Sequence, residues 1–223
     1  MNGKICIIEM GNSPRTDITN DLKVSLNNNG IKFSEVGILD GLSDMELYNV
    51  LTTNPDKKSI ITKNKQNITC YIKKEKAETL IKNLINKLDH NEYNKIVIAC
   101  DEEYTSILGI ANNIILPIDL IKAYLQINPL KMKNSIVFPT KSQAELEKDQ
   151  WEILLSNPEF LVCDPFSVQS FSVTTELLMK SKPSRVILNC FGFTLEQKHK
   201  LEAELNVPVI LPRELVAMHI KQY

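Results

Sequence analysis

Two stretches decide the fold of this chain: IVIAC at residues 96–100 and VILNC at residues 186–190. Each is a run of branched apolar residues that ends in a cysteine. Such a run is typical of a strand buried on both faces of a parallel sheet. Because ligands of open α/β sheets bind beyond the carboxyl ends of the strands, Cys100 and Cys190 are predicted to face a cleft.

Strand-like and helix-like segments alternate along the rest of the chain. Residues 78–88 place leucine and isoleucine on one helical stripe, and capping-box patterns begin at Ser43, Thr140 and Thr194. The strands are expected at Lys4–Met10, Lys32–Ile38, Ser59–Thr62, Ile68–Ile72, Lys95–Cys100, Ser135–Phe138, Phe160–Cys163, Arg185–Cys190 and Pro208–Leu211. Asn54–Lys74 is the exception, because two short strands flank a polar turn, which indicates an inserted hairpin. The alternation predicts an α/β fold of two doubly wound lobes, whose parallel sheets face a common cleft.

The alternation restarts after Asn112 and Asn113, which marks a break between the lobes. We expect residues 1–115 to form the first α/β lobe and residues 116–211 the second. The C-terminal helix, 212–223, is expected to fold back on the first lobe.

Composition excludes several classes of protein. The chain has 223 residues, of which 43% are hydrophobic and 24% charged, with a formal net charge of -1. Basic and acidic residues are interspersed, so the sequence shows no nucleic-acid-binding footprint. Its apolar runs are far shorter than the ~20 residues that span a bilayer. We therefore expect no nucleic-acid or membrane partner.

Cysteine usage indicates a reducing compartment. The five cysteines are an odd number, are widely spread and lie mostly in strand-like runs, so they do not form a disulfide framework. No Cys-x-x-Cys pair occurs and the three histidines are isolated, which argues against a metal site. The N-terminus enters a strand directly, with no signal-peptide pattern. These features predict a cytoplasmic protein without a metal.

The segment GNSPRTD, residues 11–17, is a candidate anion site. A glycine after the first strand, a possible cap at Ser13 and a proline would leave free amide groups at a helix start. Only three of the 26 basic residues are arginine, and Arg15 and Arg213 both follow a proline directly after a strand. Arginine supplies a planar fork of donors that lysine lacks. The alternative is an ordinary strand-to-helix turn.

The surroundings of the cysteines differ. Cys100 precedes the acids 101–103, which disfavour its thiolate if they point at it and would suit the first turn of a helix if they do not. Cys190 precedes Gly192 and Thr194, which allow close backbone approach and cap a helix. We expect Cys190 to be the more reactive thiol. The alternative is that both cysteines are small buried hydrophobes.

Four segments together resemble the AroM family: GNSPRTD (11–17), LDGL (39–42), NCFGFT (189–194) and ILPRELVA (210–217). This family is distantly similar to the aspartate/glutamate racemase superfamily. The resemblance implies two α/β lobes that each present a cysteine to a shared cleft, without a cofactor.

The same resemblance implies roles for individual residues. Cys100 and Cys190 match the two cysteine positions, and Ser13 and Thr194 match loops that hold the substrate carboxylate. From the helix-start argument, Arg15 and Arg213 are further candidates to bind the anion. The expected partner is a small anionic metabolite, and a homodimer is left open.

Two functions from different classes follow. The first is an enzyme of the cofactor-independent racemase or isomerase type, in which one thiolate removes a proton next to a carboxylate and the opposite thiol returns one. A thiolate that adds to the substrate is a variant of this mechanism. The second is a non-catalytic binding or sensor protein that closes on a small anionic metabolite, linked through the family's name to aromatic amino-acid metabolism.

Overall fold

The computed structural model describes residues 4–26, 30–52, 58–89, 92–107, 109–129 and 132–222. The strands are β1 (Lys4–Glu9), β2 (Lys32–Gly37), β3 (Leu51–Thr52), β4 (Ser59–Lys63), β5 (Thr69–Lys73), β6 (Lys95–Ile98), β7 (Ile114–Ile115), β8 (Asn134–Phe138), β9 (Glu159–Val162), β10 (Arg185–Leu188) and β11 (Val209–Ile210). The helices are α1 (Thr16–Ser25), α2 (Asp44–Val50), α3 (Lys74–Lys87), α4 (Pro117–Ile127), α5 (Lys141–Leu154), α6 (Val168–Ser181), α7 (Leu195–Leu205) and α8 (Pro212–Lys221). Positions 54–57 of the predicted hairpin and the last residue of the predicted final helix lie outside the described residues.

The first sheet contains β1, β2, β6 and β7 in the order β2-β1-β6-β7, with every neighbouring pair parallel. The central strands are apolar on both faces, as their sequences predict. Ile7 and Ile98, one in each central strand, have no exposed surface. This sheet therefore ends, at its carboxyl edge, on the segment that carries Cys100.

The second sheet contains β8 to β11 in the order β11-β10-β8-β9, again with parallel neighbours. Its central strand β10 is buried throughout and leads into Cys190. The predicted α/β class, with two lobes whose parallel sheets face a common cleft, is confirmed. One apolar cluster contains Ile98 from the first sheet together with Phe138 and Ile187 from the second, so the lobes share part of their core.

A small antiparallel sheet of β3, β5 and β4 interrupts the alternation. The pairing of β4 with β5 confirms the inserted hairpin, whereas the two-residue strand β3 is an addition that the sequence did not indicate. The hairpin lies against the exit of β1, where a side chain at Gly11 would collide with the carbonyl oxygen of Lys63. Glycine is required here because two backbones approach closely.

The helices cover the sheets, and three of their starts match the predicted caps. The hydroxyl oxygens of Ser43, Thr140 and Thr194 each accept a hydrogen bond from the backbone three residues later. Helix α8 contacts both α1 and α4, so the end of the chain packs on helices from earlier in the sequence. Within the described ranges, no helix combines the length and apolar character needed to cross a bilayer.

Two local expectations are wrong. Ser13 does not cap α1, because the helix begins at Thr16 and Arg15 occupies the cap position without a side-chain cap. The acids after Cys100 do not open a helix, since the chain continues as a loop into a short 3-10 turn at Thr105–Ile107. The carboxylates that would have faced solvent in a first helical turn are therefore free to turn inward.

Candidate active site

A cavity of about 40 Å³ lies where the carboxyl ends of β1, β6 and β10 meet strand β4 and helix α5. We call it the inner cavity. Cys100 and Cys190 both line it, together with Glu9, Asp101 and Asn189. The structure thus brings together the two strand-end cysteines that the sequence singled out.

Cys190 lies in the loop after β10 and is half-buried. Its Sγ accepts a hydrogen bond from the backbone amide of Gly192 at 3.3 Å. Burial raises the pKa of the Cys190 thiol to about 12, and the nearby Asp101 adds to this effect. Cys190 has no acidic neighbour in the sequence, but the fold brings Asp101 close to it.

Cys100 is more enclosed, with 8% of its surface exposed. The hydroxyl of Tyr104 donates a hydrogen bond to its Sγ at 3.1 Å. Burial raises the pKa of the Cys100 thiol, and the charge of Glu102 raises it further. Both thiols therefore hold their protons more tightly than an exposed cysteine does.

Buried acids are the main feature of the site that sequence reasoning missed. Glu9, Asp101, Glu102 and Glu147 are each at most 8% exposed. Burial raises the pKa of Glu9 and of Glu147 to about 8, and it raises the pKa of Asp101 well above its usual range. Glu9 had a detectable signal, because it is the acid within an otherwise apolar strand that follows Lys4.

These acids differ in their partners. Glu102 accepts hydrogen bonds from Lys74 Nζ and Gln143 Nε2, both at 2.7 Å. Glu147 accepts from Trp151 Nε1 at 3.1 Å and from Asn189 Nδ2 at 3.0 Å. Among the described residues, Glu9 Oε1 and both carboxylate oxygens of Asp101 are buried without a hydrogen-bond partner. The four buried acids thus divide into two with hydrogen-bond donors, Glu102 and Glu147, and two with unpartnered oxygens, Glu9 and Asp101.

A larger polar cavity of about 690 Å³, the outer cavity, adjoins the inner one. Ser13, Arg15 and Thr194 line it, and Arg15, Phe166 and Gly192 line both cavities. Arg15 lies 5.6 Å from the centroid of the Phe166 ring. The aromatic ring and the arginine therefore stand at the boundary between the two spaces.

The predicted anion loop is filled by the protein's own carboxylates. Arg15 Nε and Nη2 donate to the two carboxylate oxygens of Asp17, both at 2.8 Å. The Ser13 hydroxyl and backbone amide donate to Asp40, at 2.5 and 3.1 Å. A ligand carboxylate at Arg15 would have to displace Asp17, whose side chain is 46% exposed.

Thr194 and Arg213 have structural partners. Thr194 lines the outer cavity, but its hydroxyl caps α7. Arg213 has no exposed surface and contacts neither cavity. Its guanidinium donates to the backbone oxygens of Phe191 and Gly192, at 2.8 and 3.3 Å, and to Asp21 at 2.8 Å. Arg213 therefore holds the Cys190 loop rather than lining the space beside it.

The described residues offer no set of side chains that could bind a metal ion. Across the described residues, no group of three or more His, Cys, Asp or Glu side chains lies together in a way that could hold a metal ion. The donors of the inner cavity are thiols, carboxyl groups and an amide.

The architecture of two four-stranded parallel sheets with flanking helices is shared with solved structures of racemases and isomerases. Allantoin racemase from Klebsiella pneumoniae superposes with a TM-score of 0.61 at 12% identity, covering 99% of this chain and 87% of that one. Maleate isomerase Iso from Pseudomonas putida S16 gives 0.60 at 12% identity, covering 100% and 92%. The aspartate racemase of Picrophilus torridus gives 0.57 at 13% identity, covering 99% and 94%. At these identities the similarity establishes the fold.

The sequence identifies a family, which the similarity in fold does not. The model of the AroM protein family matches residues 5–222, so the chain belongs to that family. No curated protein matches it significantly.

Proposed function

We propose that this protein is a small-carboxylate-acting enzyme of the racemase or isomerase type, which uses Cys100 and Cys190 and needs no cofactor. One observation carries the proposal: the thiols at the ends of two separate parallel sheets line the same enclosed cavity. A pair of acid–base groups around one small space is what proton transfer at a single carbon requires.

The two cysteines together account for the proton that leaves the substrate and the proton that is returned to it. The thiolate of one cysteine takes the hydrogen from the carbon next to the substrate carboxylate, and the electron pair of the broken C–H bond stays on that carbon. The thiol of the other cysteine then donates its proton to the opposite face of the carbon. The first cysteine ends as a thiol and the second as a thiolate, so each turnover exchanges their roles.

Arg15 is the residue best placed to hold the substrate carboxylate in this proposal. It lines both cavities, and its present partner Asp17 is exposed and can rotate away. Exchange of one carboxylate for another preserves the paired, charge-assisted hydrogen bonds of the guanidinium. The five cysteines are free, which supports the cytoplasm as the compartment in which such thiols stay reduced.

Proton exchange in heavy water tests the proposal. Aspartate, glutamate, alanine and lactate are each incubated with the protein in D₂O, and loss of the hydrogen on the carbon next to the carboxylate is followed by proton NMR. We expect exchange with at least one compound, reduced at least about a hundredfold in Cys100→Ala and in Cys190→Ala, because a general acid or base contributes about 10²–10⁴-fold. Cys70→Ala is the matched control, since Cys70 lies on β5 and does not line the inner cavity. Exchange that survives both cavity substitutions would refute the mechanism.

The second candidate is a binding protein for a small anionic metabolite. The observation that favours it is the raised pKa of both thiols, which disfavours the thiolate that catalysis needs. A ligand that binds tightly, shows no hydrogen exchange and is unaffected by replacement of either cysteine would establish this function instead.

A further inference from the structure

The inner cavity is lined by hydrogen-bond acceptors that have no donor. Within the described part of the chain, Glu9 Oε1, Asp101 Oδ1 and Oδ2 and Asn189 Oδ1 are buried and unpartnered. Their residues are only 1%, 5% and 3% exposed, and all of them line this one cavity. A buried acceptor without a donor destabilises the fold, so four together mark a place where a ligand supplies the donors.

Three side-chain donors that line the same cavity point to other groups. Arg15 directs Nε and Nη2 to Asp17, Gln143 directs Nε2 to Glu102, and Asn189 directs Nδ2 to Glu147. A second carboxylate entering this space would meet the carboxyl and amide oxygens of Glu9, Asp101 and Asn189 rather than these three donors. An N–H group entering it would meet several oxygens at once.

We propose that the inner cavity takes the N–H-bearing end of the substrate, a protonated amine or a ureido group, and excludes a second carboxylate. This inference rests on the proposed function and names its substrate class. The size of the cavity agrees, because about 40 Å³ holds on the order of three water-sized groups. An amino group and the carbon that carries it fit, while the remainder of the molecule occupies the outer cavity.

The electrostatics of the site support the same ligand. Burial raises the pKa of Glu9 to about 8 and that of Asp101 well above its usual range, so these carboxyl groups resist ionisation in the protein alone. A cation placed among them favours their ionised forms. The same cation would lower the pKa of the adjacent thiols, which the proposed proton transfer requires.

Four compounds that share a carbon skeleton test the inference by isothermal titration calorimetry of the intact wild-type chain. Alanine, N-carbamoylalanine, lactate and methylmalonate all have a methyl group and a carboxylate on one carbon, and they differ in the fourth substituent. We expect alanine or N-carbamoylalanine to bind at least about tenfold more tightly than lactate, because a donor to a charged acceptor is a strong hydrogen bond. Methylmalonate should bind most weakly.

Comparison of alanine with N-carbamoylalanine shows whether an ammonium group or a ureido group supplies the hydrogen-bond donor. Tighter binding of alanine assigns the pocket to an ammonium group, and tighter binding of N-carbamoylalanine assigns it to a ureido group. Lactate or methylmalonate binding as tightly as the better nitrogen compound overturns the inference, and so does the absence of binding by all four.

The variant Asp101→Asn tests whether Asp101 causes this preference for nitrogen compounds. It keeps the shape of the side chain and replaces one acceptor oxygen by a donor. We expect it to reduce the preference for the nitrogen compound over methylmalonate by about tenfold. Asp149→Asn, in an exposed acid on α5, is the matched control and should leave the preference unchanged. Glu9→Gln provides a second variant, and thermal unfolding followed by circular dichroism verifies that each protein is folded. An unchanged preference in both folded cavity variants overturns the assignment of these acids.

The binding series and the exchange assay fail independently. Selective binding of a nitrogen compound without hydrogen exchange removes the proposed reaction and leaves the ligand class standing. Hydrogen exchange on lactate alone supports the reaction and overturns the ligand class.

Discussion

The loops that follow β6 and β10 begin alike, with a cysteine at the end of a buried parallel strand, yet they differ in what surrounds the sulfur. Cys100 is followed by inward-facing acids and contacts the hydroxyl of Tyr104. Cys190 contacts a backbone amide, and its loop is held by the guanidinium of Arg213. Position in the sheet therefore sets where a thiol lies, while partners distant in sequence set its chemistry.

The largest expected effect concerns the anchor of the Cys190 loop. Arg213→Met should reduce the free energy of unfolding by about 3 kcal/mol, because it leaves a buried network of carbonyl oxygens and Asp21 without its cation. Urea denaturation measures this loss. Arg15→Met is the matched control, expected to cost about 1 kcal/mol because its partner Asp17 is largely solvent-exposed.

Amide hydrogen exchange on the same variant shows whether Arg213 stabilises the Cys190 loop alone or both loops. In Arg213→Met, protection should fall at residues 191–193 and stay unchanged at residues 101–104. Equal changes in both loops would show that the anchor is not specific to the Cys190 side.

Glu9, a buried acid that lines the inner cavity with Cys100, should make the free energy of unfolding depend on pH. The pKa of Glu9 is raised from 4.5 to about 8, so the folded state holds this proton more tightly than the unfolded state. This contribution to stability is present below the unfolded pKa and is lost as pH rises to about 8. Arg15 and Arg213 moderate the shift, and Glu35 and Asp17 add to it.

Glu9→Gln checks this pH dependence. Urea unfolding at a series of pH values should show a flatter profile for the variant, with the gain in stability largest at the alkaline end. Glu176→Gln, in an exposed acid on α6, should retain the wild-type slope. A variant profile parallel to that of the wild type would mean that Glu9 is ionised in the folded protein.

Thiol labelling compares the cysteines directly. Sequence alone predicts that Cys190 reacts first, but the structure changes the expected order. Cys70 has a pKa of about 11 and Cys190 one of about 12, so Cys70 should react about tenfold faster with iodoacetamide. Of the two cavity cysteines, Cys100 should react more slowly, since it is 8% exposed whereas Cys190 is half-buried. Mass spectrometry gives the order, and Cys190 reacting first would mean that Asp101 does not act on it.

The smallest effect concerns the helix that follows the Cys190 loop. Thr194→Ala should reduce the free energy of unfolding by about 1 kcal/mol through loss of the α7 cap. Thr140→Ala, which removes the corresponding cap of α5, should cost about the same. A clearly larger loss at Thr194 would indicate that its hydroxyl does more than begin a helix.

The fold was largely predictable because it depends on local pattern. Apolar strands that alternate with capped amphipathic helices indicate parallel sheets, and the carboxyl-end rule then places Cys100 and Cys190 at the cleft. Strands β3 and β7 were missed because two residues each, Leu51–Thr52 and Ile114–Ile115, carry no periodicity.

The chemistry of the site was less predictable, because it depends on direction and on distant partners. The sequence reports that Asp101 is acidic, but not that its carboxyl turns into the cavity rather than to solvent. Arg213 was expected at the anion because it follows a strand and a proline. Its actual partner Asp21 lies 192 positions earlier, a separation that no local pattern reveals.

The position of Arg213 in the chain also sets the order in which the molecule can be completed. Synthesis proceeds from the N-terminus, and all eleven strands of the described residues, β1 to β11, precede this arginine. Until α8 emerges and docks on α1 and α4, the loop that carries Cys190 lacks its anchor. The Cys190 loop therefore gains its anchor only when the last helix is made, and a ribosome that stalls after β11 would leave this loop without it.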